Sequence, residues 1–433
     1  MIAVAPSRRR VFALALAPVV AAACGSQENL DELPKTGLSE GKVIYSTWGT
    51  MQHRELENWS LLAFEKNYTD LKVDVVWSPT EAEHVAKQIS LLSGGTPPDV
   101  MRLPAWSAPT FYNEEVARRL DPYFRRDGFK TDHLAPPFDV ATFKRGFFAL
   151  PRGQSGTWVV FYNRQLLSQA GVKNPAPTWT WEDFLQASRE LTRPSAAGGG
   201  QWGTALDPLA DFYHPWLWGA GGDDIEPTRE AAAIDQPAAV EALEWLADLR
   251  LKHRVAPPAG ELADSWQAFT SGRIAMWYGP ADAELELTKL RAVDFAIAPQ
   301  PRGKSGQHGG YRPDVMVMSF NAQHPDDGWE LLQFLVDVEI QRLELENALW
   351  LPQASAIVGE ESYRQLAVPP YDRRPGIPNA LFRARTPVIL PRGDEMRVAI
   401  QRELAPFWQG SRGAKEATAA AAKAVNIIIK GEA

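Results

Sequence analysis

Val43, Tyr45 and Thr47 alternate with Ile44 and Ser46, a period of two that predicts a strand, and Trp48-Gly49-Thr50 breaks it. From Arg54 to Tyr68 the spacing changes: Leu56, Trp59, Ala63 and Phe64 fall on one face of a helix. A second strand is expected over Leu71–Trp77, a helix through Val85, Ile89 and Leu92 that stops at Gly94-Gly95, and a third strand over Asp99–Leu103. Strand and helix in strict alternation predict an open α/β sheet, whose ligands sit beyond the carboxyl ends of the strands. Further on, Thr157–Tyr162 reads as a strand and Gln165–Ala170 as a short helix closed by Gly171. Thr180-Trp181-Glu182-Asp183 opens a longer helix, with Thr180 placed to cap and Asp183 to return the bond. Residues 196–200 read as a flexible turn, and Pro237–His253 as a helix burying Val240, Leu243, Leu246 and Leu249. Ile274–Tyr278 and Asp294–Ala298 are expected strands, Pro325–Leu349 one long helical region, and Ala414–Lys430 a closing helix.

At 433 residues the chain exceeds what one hydrophobic core serves, so two lobes are expected. The charged fraction is 23% and the net charge −8, with no basic tract beyond Arg8–Arg10, so no face is expected for nucleic acid. The single cysteine, Cys24, excludes an intramolecular disulfide.

Arg8-Arg9-Arg10, the apolar run Val11–Val20 and Ala21-Ala22-Ala23 before Cys24 form the three parts of an export signal. That run is too short to span a bilayer of about 30 Å. Ala21-Ala22-Ala23-Cys24 resembles a bacterial lipobox, which implies that residues 1–23 are removed and that Cys24 is lipidated and holds the protein on a membrane. Arg9-Arg10-Val11-Phe12 fits twin-arginine export, and general secretion fits as well. Residues 24–41 are polar and read as a tether.

Several segments together resemble the extracellular solute-binding proteins of ABC importers, in the branch of maltose-binding protein and other sugar-binding lipoproteins. Leu92-Ser93-Gly94-Gly95-Thr96-Pro97-Pro98-Asp99-Val100 is similar to that family's turn before its third strand. Phe161-Tyr162-Asn163-Arg164, Ala170-Gly171-Val172 and Thr178–Phe184 resemble its most recognisable block. Phe269-Thr270-Ser271-Gly272-Arg273-Ile274-Ala275-Met276 and Gly279 match a further segment, in family order. The resemblance implies a two-lobed α/β fold of the periplasmic-binding-protein kind, type II-like, with a hinge of several crossover segments and a ligand cleft between the lobes. Lobe one would hold residues 42–152 plus 312–350, and lobe two residues 153–311 plus 351–433. It further implies a monomeric receptor with a carbohydrate ligand, permease subunits as partners, no cofactor and no catalysis.

Sixteen tryptophans suit a sugar, because an indole covers its C–H face while carboxylates, amides and arginines meet the hydroxyls at its rim. Trp59, Trp245 and Trp329 fall at core spacing on helices, and Trp158, Trp179 and Trp181 also have structural explanations. Trp48 and Trp106 instead follow strands, and Pro215–Asp224 places Trp216, Trp218 and Asp223 in what reads as a glycine-rich loop. Trp277 and Trp350 stand where the resemblance implies cleft positions. Gln52, Gln154, Ser155, Tyr311 and Arg312 are the expected polar contacts, with an ion pair to Asp314 the alternative role for Arg312. Ala281 stands where the maltose-binding branch carries an indole, so maltodextrin identity is not implied.

Enzyme chemistry has little support. The seven histidines include no pair at the spacing of a helix-borne zinc site. Gly303-Lys304-Ser305 lacks the upstream glycine of a phosphate loop, and Gly153-Gln154-Ser155-Gly156 sets its serine one residue early for a nucleophile elbow. Asp223-Asp224 offers carboxylates to a glycosidase, although adjacent acids more often form a solvated loop. With the fold kept, the cargo alternatives are a glycerophosphodiester, a peptide or a polyamine. A polyamine would demand several cleft acids, and a phosphate would demand cleft arginines or helix N-termini.

Overall fold

The computed structural model describes residues 41–49, 51–134, 140–152, 158–193, 200–205, 212–262, 264–281, 283–310, 314–346 and 384–431. Two sheets organise them. The first has five strands in the order Lys72–Ser78, Lys42–Trp48, Val100–Pro104, Asp314–Met318, Ala149–Arg152. Its first three strands are parallel, which requires the crossover helices Met51–Asn67 and Glu81–Ser93. Asp314–Met318 runs antiparallel to both of its neighbours.

Alternation along these strands fills a layer on each face. Val43, Tyr45, Val100, Met316 and Met318 point to one side with Phe64 and Trp329, while Met101, Leu103, Val315 and Val317 meet Phe111 and Tyr112 on the other. Covering on both faces explains why the strand Val100–Pro104 is buried throughout.

The second sheet has the order Phe295–Ala298, Trp158–Asn163, Ile274–Pro280, Trp202–Thr204. Its first two pairings are antiparallel and the last parallel. Val160, Tyr162, Met276 and Tyr278 face a large core, and Val159, Phe161, Trp277 and Ile297 a smaller one. A Cβ on Gly203 would lie 2.0 Å from the Ser188 carbonyl oxygen, so only glycine lets this edge strand meet the helix Trp181–Leu191.

Most expected elements form within a residue or two of their expected bounds. The long helical region does not stay continuous. It divides into Pro325–Val336 and Val338–Glu346 at Asp337, whose ψ of 139° leaves the helix and whose carboxylate accepts from the amides of Glu339 and Ile340. The helix Gly393–Trp408 was not anticipated; with the expected helix Ala414–Ile429 it buries Met396, Ile400, Leu404, Phe407 and Val425 in the larger core under the second sheet. Among the described residues no helix is long and apolar enough to cross a membrane.

Candidate functional site

A small pocket of about 60 Å³ opens at the loop that follows the strand Val100–Pro104. Trp106 from that loop forms one wall, Tyr213, His214 and Asp224 from around the helix His214–Ala220 form another, and Ile389 and Arg397 close it. Its walls therefore come from a loop of the first sheet, a helix of the second sheet's core and the C-terminal region. The Trp106 loop lies past a strand's carboxyl end, as open α/β sheets place their ligands.

Trp106 is held from two sides. Its indole N–H donates to Glu81, and the Arg397 guanidinium carbon lies 5.0 Å from its ring centre. The start of the helix Gly393–Trp408 docks on the same loop. The Arg392 amide donates to Thr110 Oγ1 at 3.2 Å, and a Cβ on Gly393 would come within 3.1 Å of the Trp106 carbonyl oxygen.

A polar group lies at the other end of the helix His214–Ala220. The Trp218 indole N–H donates to Asp223 Oδ2 at 3.0 Å, the Arg385 guanidinium reaches that oxygen at 3.4 Å, and the same guanidinium lies 4.9 Å from the Trp218 ring centre. His214 Nε2 and Asp224 Oδ2 are 2.9 Å apart, both residues being buried. Burial and then the Asp224 carboxylate push Asp223 up to about 6. Burial also opposes charge on Asp224, yet the adjoining His214 imidazole holds its carboxyl below the usual range. Asp224 is thus buried and Asp223 half-buried, and both are partnered, unlike a solvated loop.

The expected binding residues divide into three groups. Trp106 lines the pocket and Asp223 adjoins its Asp224, whereas Trp218, 1% exposed and with Arg385 over its ring, is not part of the lining and corrects the expectation that it stacks on a ligand. Trp48 ends its strand as expected, but only 7% of it is exposed; Arg102 covers its ring at 4.3 Å and His84 approaches at 4.9 Å. Asp314, the alternative partner for Arg312, is held by Arg102, whose Nε donates to it at 3.0 Å. Gln52 lies on the helix Met51–Asn67. Gln154, Ser155, Tyr311, Arg312, Trp350 and Cys24 lie outside the described residues.

Trp216 and Trp277 correct the expectation. The segment read as a glycine-rich loop is instead the helix His214–Ala220, opened by Pro215, ended by Gly221 in the left-handed region and buried at every position. Trp216 is 1% exposed and stacks on Trp245 at 4.9 Å, with Trp181, Phe184 and Tyr278 around it, so no ring face is left for a ligand. Trp277 is 6% exposed, stacks on Phe161 at 5.2 Å and donates its N–H to Ser265 Oγ at 3.0 Å. Tyr213, Arg385 and Arg397 were not anticipated. Tyr213-His214 directly precedes Pro215 at the helix start, a legible signal; Arg385 and Arg397 come from sequence about 280 and 290 residues after Trp106, and nothing local announces them.

The profile of the bacterial extracellular solute-binding proteins matches residues 54–342. A putative binding protein of Brucella abortus is 24% identical over 268 residues, 60% of this chain; the chain thus spans 64% of that relative's length. The sn-glycerol-3-phosphate-binding periplasmic protein of the same organism is 21% identical over 365 residues, 80% of each chain. Among solved structures, an ABC substrate-binding protein of Listeria monocytogenes in complex with cycloalternan superposes with a TM-score of 0.79 at 19% identity, covering 90% of this chain and 100% of that one. A Mycobacterium tuberculosis protein in complex with glycerophosphocholine gives a TM-score of 0.78 at 19% identity, covering 91% and 100%. These two structures share the two-lobed fold of solute-binding proteins with this chain.

Proposed function

The chain belongs to the bacterial extracellular solute-binding proteins, and from that premise we propose that it is the substrate-binding component of an ABC importer, capturing a carbohydrate between two lobes and passing it to membrane permease subunits. The carrying observation is the pocket whose walls come from both sheets' elements, Trp106 on one side and Tyr213, His214 and Asp224 on the other. An aromatic face opposite hydrogen-bonding groups suits a polyol with apolar C–H faces. Hinge closure would bring residues 42–152 plus 312–350 toward residues 153–311 plus 351–433, with Gln52, Gln154, Ser155, Tyr311, Arg312 and Trp350 as further contacts. Residues 1–23 are proposed as an export signal and Cys24 as the lipid anchor.

Calorimetry against a panel of mono- and oligosaccharides, with product analysis of each mixture, tests this function. Micromolar or tighter binding with the sugar recovered intact is the expected result; released product would make the protein a carbohydrate-active enzyme instead. For the anchor, Cys24→Ser should move the mature protein from the membrane to the soluble fraction, checked by fractionation and immunoblot. A second cargo, a glycerophosphodiester, is favoured by the Brucella relative named for sn-glycerol 3-phosphate and by the glycerophosphocholine in the similar Mycobacterium structure.

A further inference from the structure

The charged groups lining the pocket are unequally satisfied. Asp224 Oδ2 is taken by His214, but its other oxygen, Oδ1, is buried with no hydrogen-bond partner among the described residues. Arg397 is less committed still. Its Nε is buried without a partner, and its guanidinium rests on the Trp106 ring at 5.0 Å. Neighbouring charges are engaged elsewhere: Arg385 with Asp223, Arg392 with Glu395, and Glu81 with the Trp106 N–H. Among the described residues no carboxylate lies within ion-pairing distance of Arg397.

A partly desolvated guanidinium costs free energy unless an anion or several acceptors answer it. A neutral polyol supplies only hydroxyls, whereas phosphate and carboxylate match the planar fork of arginine with two parallel hydrogen bonds. Trp106 lies against that fork, and both side chains line the pocket. An orphan carboxylate oxygen on the same lining calls for a donor, which a hydroxyl provides.

We infer that the solute is a hydroxylated organic acid, a phosphate ester or a sugar acid, with its anion on Arg397 and one hydroxyl donating to Asp224 Oδ1. This rests on the solute-receptor function proposed above and narrows its cargo.

Calorimetry with sn-glycerol 3-phosphate and glucuronate, each beside its uncharged counterpart glycerol or glucose, tests it and separates the two sources of the acid. Wild type should bind at least one acid about ten- to a hundred-fold more tightly than its counterpart, the range expected of a hydrogen bond to a charged group. Arg397→Gln should erase that preference with the melting temperature unchanged, and Arg397→Lys should keep part of it. Equal affinity for acid and counterpart, or an acid affinity unmoved in Arg397→Gln, overturns the inference and leaves the receptor function standing. Failure of wild type to bind either acid also overturns the inference, whereas the receptor function falls only if the wider panel of mono- and oligosaccharides fails to bind as well.

Discussion

Asp223 stands between neighbours of opposite sign. Burial and Asp224 raise its pKa to about 6, and His214 and Arg385 only partly oppose them. A carboxyl raised this way binds more protons folded than unfolded across the interval from its ordinary 3.8 to about 6. Its contribution to stability is therefore complete below that interval and is lost as pH rises through it. Urea midpoints measured from pH 4 to 7 should fall more steeply for wild type than for Asp223→Asn, and parallel slopes would show that Asp223 titrates like an exposed acid. Residue chemistry of this kind was half legible in the chain. Trp106 could be picked out because it follows a strand, but Trp216 was mistaken for a stacking surface because glycines flank it. Truncation of a buried indole costs about 3–5 kcal/mol, so Trp216→Ala should lower the denaturation midpoint sharply. Solute affinity measured below that midpoint should stay at the wild-type value, since its ring faces only Trp245, Trp181, Phe184 and Tyr278.

Elements with local signals were the easiest to read. Thr180 caps the helix Trp181–Leu191 through the Asp183 amide, and Asp183 returns the bond to the Thr180 amide at 2.8 Å, the reciprocal pair that the spacing predicts. Thr180→Ala should cost about 1 kcal/mol, seen as a small downward shift in the urea midpoint with the slope of the transition unchanged; no shift would mean that tertiary packing alone holds this helix end. Two other elements lacked such signals. Val336-Asp337-Val338 continues the apolar spacing, so a helix break through one aspartate was hidden. The helix Gly393–Trp408 begins just after Pro391, starts with glycine and contains Pro406, three features that argue against a helix locally. Burial of its own Leu404, Phe407 and Trp408 in the core with Leu243 and Leu246 overrides them.

Across the whole molecule, chain order and spatial order part company. The strand Asp314–Met318 sits between Val100–Pro104 and Ala149–Arg152, so the first sheet is completed only after the second has been threaded. No local periodicity encodes that insertion, because strand pairing over such distances is decided by which faces can be buried together. The same holds at the C-terminus. Met396, Ile400, Phe407, Ala417 and Val425 belong to the core shared with Val160, Tyr278 and Leu243, while Arg392 ties the first of these helices to Thr110 beside Trp106. Two helices late in sequence thus serve as the second sheet's packing, and the first of them also forms part of the pocket wall. A chain ending at Leu390 keeps every strand of both sheets yet would expose the apolar face those helices cover, an interface that the remaining residues have no means to satisfy. Calorimetric scanning of that truncated chain should show the cooperative transition lost or split, with dye binding to exposed apolar surface at temperatures where the full chain binds none. A single sharp transition at the full-length midpoint would mean that the second sheet carries a sufficient core of its own and that the C-terminal helices serve the pocket alone.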